Sequence, residues 1–335
     1  IGEEGFAFSK QHFKKLLNIA QDLNVNFVRA SHYPYTRYIS QLCDELGILL
    51  WEEIPVYWNI NWLNAKTKND ATTMLTQMIH RDWNRASVII WSIGNETPFS
   101  DARMDFMIDL KQTAYGLDSS RLISAALLSG SVEQFRSLTY FLAKEGLKHN
   151  FVSNNEKGIF KQIVAQLEPL YGYMDRFKIN IKDPLAEHLD VIAYNEYFGW
   201  YYTSFIVDQL GVEESTLRKL MFKLMPSIKI ESQYKKPIHL SEFGAGAKKN
   251  YKADGGIWSE EYQEDVYRHQ LEMIQSNDQI QGLSPWILKD FRSMMRPLAD
   301  VQDFYNRKGL VDEDGKKKKA FNVLADFYEN EWSSD

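Results

Sequence analysis

The feature that most constrains this chain is an alternation. Seven short apolar runs are separated by stretches with helical periodicity. The runs are Asn26–Ala30, Ile48–Glu52, Val88–Ile93, Leu122–Ala126, Val191–Asn195, Ile238–Glu242 and Leu283–Ile287. Each is β-branched or aromatic in character and short, as expected of a strand buried on both faces. Between them, His12–Leu23 sets Phe13, Leu16, Leu17, Ala20 and Leu23 on one helical face. Tyr38–Leu46, Ala71–Trp83, Arg103–Tyr115, Ser215–Ile228 and Glu261–Ile274 repeat that pattern, and a last helix is expected over Lys318–Tyr328. Strands alternating with helices give a parallel sheet.

Seven such units without a Gly-rich nucleotide loop favour an α/β fold of the (β/α)8 TIM-barrel type over a doubly wound sheet. The Gly244-x-Gly246 pair lacks the third glycine of a dinucleotide site. The strand count is one short. Residues 1–8 hold no apolar run, so the first strand is expected to be missing from the N-terminus. The start, Ile1-Gly2-Glu3-Glu4-Gly5, has no initiator Met or signal-peptide pattern and reads like the middle of a loop. The gap between Ala126 and Val191 is about twice what a βα unit needs. Ser129–Asp183 therefore reads as an insertion after the fifth strand, counting the missing strand as the first. Helices are expected within it around Val132–Glu145 and Ile159–Tyr173. Residues 1–335 form one domain on this reading.

Composition excludes several classes. Hydrophobic residues make up 44% and charged residues 25%, as in a globular domain. No run approaches the ~18 apolar residues of a membrane-spanning helix. A net charge of −6 argues against a nucleic-acid partner. The single cysteine, Cys43, cannot form an internal disulfide and reads as a small buried residue. Compartment and homo-oligomeric state stay open.

Barrel active sites gather where strands end. The strand ends here supply Arg29, Ser31, His32 and Tyr33; Glu52 and Glu53; Asn95 and Glu96; Asn195, Glu196, Tyr197 and Tyr201; Ser241 and Glu242; and Trp286, Lys289 and Asp290. Glu96 and Glu242 end strongly apolar strands that lie nearly opposite in an eight-strand barrel. Two carboxylates across a barrel mouth are what glycoside hydrolysis needs, one to protonate the leaving oxygen and one to attack the anomeric carbon. Pattern alone leaves hydrogen bonding to neighbouring loops as an equal reading. One of Glu52 and Glu53 is expected to face the mouth and brace Arg29. Tyr57, Trp58 and Trp62 offer a subsite wall or loop packing. Trp286 offers a stacking face or a core residue, and His32 a sugar contact or a structural hydrogen bond. The other six histidines, His12, His80, His149, His188, His239 and His269, lack metal-ligand spacing, and no metal site is read. Lys316–Lys319, after Asp312-Glu313-Asp314-Gly315, reads as a solvated turn.

Three longer segments carry a family resemblance: Asn26-Phe27-Val28-Arg29-Ala30-Ser31-His32-Tyr33-Pro34, Val88-Ile89-Ile90-Trp91-Ser92-Ile93-Gly94-Asn95-Glu96 and Pro237-Ile238-His239-Leu240-Ser241-Glu242-Phe243-Gly244. They resemble the barrel domain of glycoside hydrolase family 2, which holds β-galactosidases, β-glucuronidases and β-mannosidases. The resemblance runs from about Gly5 to Tyr328, with Ser129–Asp183 the least matched part. It implies that Glu96 is the general acid/base and Glu242 the nucleophile. Asn95 would bond the sugar 2-hydroxyl, and Tyr197 would contact the nucleophile. Asn195, Tyr201, His32, Arg29 and Trp286 would complete the carbohydrate site. Asn306-x-Lys308 resembles the element with which β-glucuronidases grip the sugar carboxylate, and Arg292 and Arg296 lie on the same long loop. An ammonium pairs with a carboxylate, and an amide adds a directed hydrogen bond. A similar Asn-Arg-Lys-Gly run, after an Asp-Phe-Arg-Ser run like Asp290–Ser293, also occurs in relatives labelled β-galactosidase, and a solvated Lys308 is the competing view. The implied activity is a retaining exo-β-glycosidase acting on terminal β-D-glucuronosides, without cofactor. A β-galactosidase, or a truncated domain that binds carbohydrate with little turnover, stays open. The family's jelly-roll and immunoglobulin-like domains before the barrel are absent from this sequence.

Overall fold

A parallel sheet with strands in sequence order forms when each strand is followed by a covering helix, and this chain does so seven times. The computed structural model describes residues 8–128 and 130–330. Its main sheet contains β1 (Phe27–Ala30), β2 (Leu49–Glu53), β3 (Val88–Asn95), β4 (Leu122–Leu127), β5 (Ile192–Asn195), β6 (Ile238–Glu242) and β7 (Ile280–Leu283). Neighbours in sequence are neighbours in the sheet, and all six pairings are parallel.

The sheet curls. β1 and β6 are five strand spacings apart, roughly 24 Å if the sheet were flat. Yet the Phe27 and His239 rings are 5.1 Å apart, and Arg29 bonds to Ser241 and Glu242. Contact between first and sixth strands requires curvature about an enclosed interior. Trp51, Ile90, Ala126 and Ala193 form that interior, with Phe27 and Ile89 packed on it. The larger apolar cluster lies between the sheet and its helices.

Caps explain where helices begin. The helix expected from Ala71 starts at Ala65, because Asn64 accepts the Thr67 N–H. The one expected from Arg103 starts at Asp101, after Ser100 accepts the Arg103 N–H. The helix expected over Ser215–Ile228 spans Glu214–Leu224 and tightens to a 3-10 turn over Met225–Ser227. Pro226, with no N–H to donate, falls in that turn. The last helix covers Lys319–Asn330. No helix of the described residues is long and apolar enough to cross a membrane.

Two expectations need correction. β7 spans Ile280–Leu283, not Leu283–Ile287. Pro285 interrupts the ladder, although Ser284 N–H still bonds to Leu240 O and Trp286 N–H to Phe243 O, which holds Trp286 at the end of β6. Within Ser129–Asp183 the helices fall at Val132–Gly146 and Asn154–Tyr171, both opened by capping boxes; Ser129 lies outside the described residues. That segment also contains an unexpected strand, Lys178–Ile181, which pairs in parallel with Lys229–Ser232 in a small separate sheet. Neither four-residue strand carries a long apolar run, so neither registers in the sequence pattern.

Close packing inside the curl gives a stability prediction. A Cβ on Gly282 would lie 2.3 Å from His239 Nδ1. His239 is held by Ser284 Oγ at 2.8 Å and by the Phe27 and Trp51 rings. Gly282→Ala is therefore expected to destabilise the fold by about 1–3 kcal/mol, read from the urea unfolding midpoint.

Candidate active site

The mouth of the curl is organised around one buried guanidinium. Arg29 leaves β1 toward the interior with its side chain 3% exposed. It pairs with Glu53 through Nε and NH2 at 3.0–3.3 Å and with Glu242 Oε1 through NH1 at 3.0 Å. It also donates to Asn95 Oδ1 at 2.8 Å and to Ser241 O at 3.0 Å. Four strands are tied by one side chain. Burial opposes the Arg29 charge, but Glu53 and Glu242 more than offset it and raise the pKa above the ordinary value.

Adjacent residues on a strand point to opposite faces, which separates Glu52 from Glu53. Glu53 points inward and braces Arg29. It further accepts from Trp51 Nε1 at 3.0 Å and Ser92 Oγ at 2.9 Å, and its Oε1 lies 2.8 Å from His32 Nδ1. Burial alone would raise its pKa; Arg29, His32 and Ser92 instead hold it at about 2. Glu52 points outward to Arg81 and Asp82, where burial and the Asp82 charge push it up to about 8.

Glu242 ends β6. Its Oε1 faces Arg29, with His32 Nε2 at 3.6 Å, and its Oε2 accepts the Tyr197 hydroxyl at 2.7 Å. Burial and the Glu242 charge keep Tyr197 a neutral phenol, its pKa well above the usual value. Glu96 follows β3. Its Oε1 accepts from Asn195 Nδ2 and its Oε2 from Trp58 Nε1, both at 3.0 Å. Asn195 also donates to Asn95 Oδ1 and accepts from Ser241 Oγ, linking the ends of β3, β5 and β6.

Above these groups opens a cavity of about 260 Å³. Of the residues expected from sequence, Glu96, Glu242, Asn95, Tyr197, Tyr201, His32, Trp286, Asn306 and Lys308 line it. Arg29 and Asn195 bond to these from beneath. The His32 ring is stacked between Tyr57 and Trp286, at 5.8 and 4.9 Å between centroids. Tyr57 and Trp58 form one wall, whereas Trp62 packs edge-on against Phe106. Arg296 lines the cavity; Arg292 instead sits in a short antiparallel pair, Phe291–Arg292 with Tyr305–Asn306. This pair, invisible in the sequence, anchors Asn306.

The Lys308 ammonium is buried at the cavity wall. It donates to the Tyr201 hydroxyl and lies 5.5 and 4.7 Å from the Tyr197 and Tyr201 ring centroids. Among the described residues it has no carboxylate within ion-pair distance. Burial lowers its pKa from the usual lysine value, and nearby Arg296 adds to that. Lys318 provides the contrast and corrects the expectation of a solvated turn over Lys316–Lys319. Its side chain is wholly buried, donating to Asp290 Oδ1 at 2.8 Å and to the carbonyls of Ala247 and Arg307. Asp290 also accepts from Gly309 N–H and Arg307. This network clamps the segment that carries Asn306 and Lys308. A lysine in a run of four gives no sequence signal for it.

The geometry can be set beside known proteins. The model of the glycosyl hydrolases family 2, TIM barrel domain, matches residues 2–331. The chain belongs to this family. Among relatives, it is 26% identical over 323 residues to a mouse β-glucuronidase, covering 94% of this chain and 40% of that protein. A Thermoanaerobacterium thermosulfurigenes β-galactosidase is 37% identical over 119 residues, covering 35% of this chain and 16% of that protein. Among solved structures, a family 2 β-galacturonidase from Eisenbergiella tayi bound to galacturonate superposes with a TM-score of 0.69 at 24% identity. That alignment covers 96% of this chain and 48% of that one. The chain thus spans less than half the length of these relatives. The superposition shows the family 2 barrel fold.

The Arg29–Glu53 pair predicts an acid response. Glu53 has a folded pKa of about 2, below the unfolded value of 4.5, so its stabilisation is full above about pH 4.5 and is lost as pH falls toward 2. Glu53→Gln should cost about 3 kcal/mol at pH 7 by leaving Arg29 undercompensated. It should also flatten the pH dependence of the unfolding free energy in that window, measured by urea titration at each pH.

Proposed function

We propose that this chain is the catalytic barrel of a retaining exo-β-glycosidase that removes terminal β-D-glucuronosyl groups. The observation that carries the mechanism is the different setting of the two glutamates. Glu242 is immobilised by Arg29 and Tyr197, each holding one of its oxygens. Arg29 sets a positive charge beside one oxygen and Tyr197 fixes the other, which aims the group as a nucleophile requires. Among the described residues Glu96 has no cationic partner within ion-pair distance and is held by two neutral donors, Asn195 and Trp58. In this reading Glu96 supplies the proton to the glycosidic oxygen. Glu242 attacks the anomeric carbon as Glu96 protonates the leaving oxygen. Glu96 then deprotonates water, which releases the sugar from Glu242 with retained configuration. Asn95, whose Oδ1 is engaged by Arg29 and Asn195, offers its amide N–H group to the sugar ring. The nine cavity-lining candidates hold the sugar, and Arg29 and Asn195 keep the two glutamates in place.

The uronate preference rests on Lys308. A buried ammonium facing a cavity without a carboxylate partner favours a ligand that brings one. Asn306 and Arg296 line the same cavity. The β-glucuronidase relatives, aligned along nearly the whole chain, point the same way. The shorter alignment with a β-galactosidase at 37% identity favours the second reading, a β-galactosidase in which Lys308 contacts a hydroxyl. We also propose that residues 129–183 are an insertion on this one domain, since their helices and the Lys178–Ile181 strand lie outside the main sheet.

Glu242→Gln should lower turnover of aryl β-glucuronides by at least about 10³-fold with the fold intact by circular dichroism. Near-normal activity would remove the assignment. Lys308→Ala should reduce kcat/KM for aryl β-glucuronides by about 30-fold, the loss of one charge-assisted contact of about 2 kcal/mol. It should leave any activity on aryl β-galactosides little changed. Equal losses on both sugars would exclude Lys308 from carboxylate recognition.

A further inference from the structure

Trp58 sits beside Glu96 in a backbone conformation that needs explaining. Both residues lie in the left-handed region, at φ 58° and 50°. For residues with a Cβ this conformation is strained. Several bonds hold the strained pair together. Trp58 N–H donates to Asn95 O at 3.1 Å, Asn95 N–H donates to Val56 O at 2.9 Å, and Glu96 N–H donates to Ala126 O at 2.8 Å. The indole Nε1–H then reaches Glu96 Oε2 at 3.0 Å.

This indole is also open. Trp58 is 49% exposed, although large apolar side chains are usually covered. Its neighbour Tyr57 meets it edge-on, with centroids 5.1 Å apart and planes at 64°. The cationic wall built from Lys308 and Arg296 is associated with Tyr201 and Tyr197, the latter on Glu242. Trp58 is instead fixed to Glu96. Since the acid must reach the leaving oxygen, the residue bonded to it borders the leaving group.

We propose that Trp58 positions Glu96 through its N–H and stacks the leaving group on its ring, and that this leaving group is a second pyranose. The ring's C–H bonds carry the partial positive charge that an indole face attracts. The substrate class is thus a uronic-acid-capped oligosaccharide. This rests on the glycosidase reading above.

The test compares the full chain with Trp58→Phe and Trp58→Ala on three β-glucuronides: a disaccharide, the methyl glycoside and the 2,4-dinitrophenyl glycoside. Trp58→Phe keeps a ring and removes the N–H. It should lower kcat about tenfold on the disaccharide and methyl glycoside. On the dinitrophenyl substrate, whose leaving group needs no proton, kcat/KM, which reports only the first step, should change by less than about twofold. Trp58→Ala should in addition raise KM about tenfold for the disaccharide only among the first two, and Phe should rescue that KM without rescuing kcat. Titration calorimetry with a sulfur-linked disaccharide reads the platform without turnover, and Trp58→Ala should weaken its binding about tenfold. Equal losses on all three substrates, or unchanged disaccharide KM and binding in Trp58→Ala, would overturn the proposal while leaving the glycosidase reading intact. A wild-type chain that neither hydrolyses these glycosides nor binds the disaccharide would overturn both.

Discussion

The charge on Arg29 is the constraint on which the mouth of this barrel depends. A guanidinium taken out of water costs several kcal/mol unless its donors are met. Here they are met by residues from the neighbouring β2 and β3 and from β6, which lies five strands away in the sheet order. The bonds to Ser241 and Glu242 can form only if the sheet closes on itself. The same side chain therefore helps to enforce the curl and to set Glu242 in one orientation. Glu53, held ionised by Arg29, His32 and Ser92, balances the second half of the charge. Stability and site geometry rest on one network, so substitutions beneath the cavity act on both.

The two buried lysines show how a fold separates support from recognition. Lys318 is enclosed with Asp290 and two carbonyls, so its charge is spent on structure. Lys308, ten residues earlier, has a phenol and two aromatic faces but no anion within ion-pair distance among the described residues. A charge desolvated without a counter-ion is held at a cost. It is tolerated because Lys318, Asp290 and Arg307 clamp the backbone on either side. The clamp supplies the rigidity, and the lysine beside it is left with an unfilled electrostatic demand.

Much of the fold was legible because buried parallel strands must be short apolar runs and their covering helices must be amphipathic. Six of the seven runs are strands of the main sheet with ends within two residues of those expected, and the seventh meets its strand, Ile280–Leu283, only at Leu283. The seventh slid toward the N-terminus because Pro285 cannot donate to the ladder. The strands Lys178–Ile181 and Lys229–Ser232 and the pair Phe291–Arg292 with Tyr305–Asn306 were not legible. They are two to four residues long and gain their order from partners far away in the chain. The strand-end rule brought Glu96, Glu242, Asn95 and Tyr197 to one cavity. It gave no account of Trp62, which turned to Phe106, or of Lys318, which a charge run disguised.

By itself, the sequence determined the alternation of strands and helices, the parallel order of the sheet and the residues that end each strand. These follow from local periodicity and from the geometry of crossover connections, which need no knowledge of distant contacts. Tertiary structure decided which of two adjacent glutamates faces inward, which of two lysines is neutralised, and which of three aromatics reaches the acid. Those outcomes depend on desolvation and on partners that arrive from other strands. A charged or aromatic side chain has the same identity in the sequence whichever face it takes, and only the closed sheet assigns it a face.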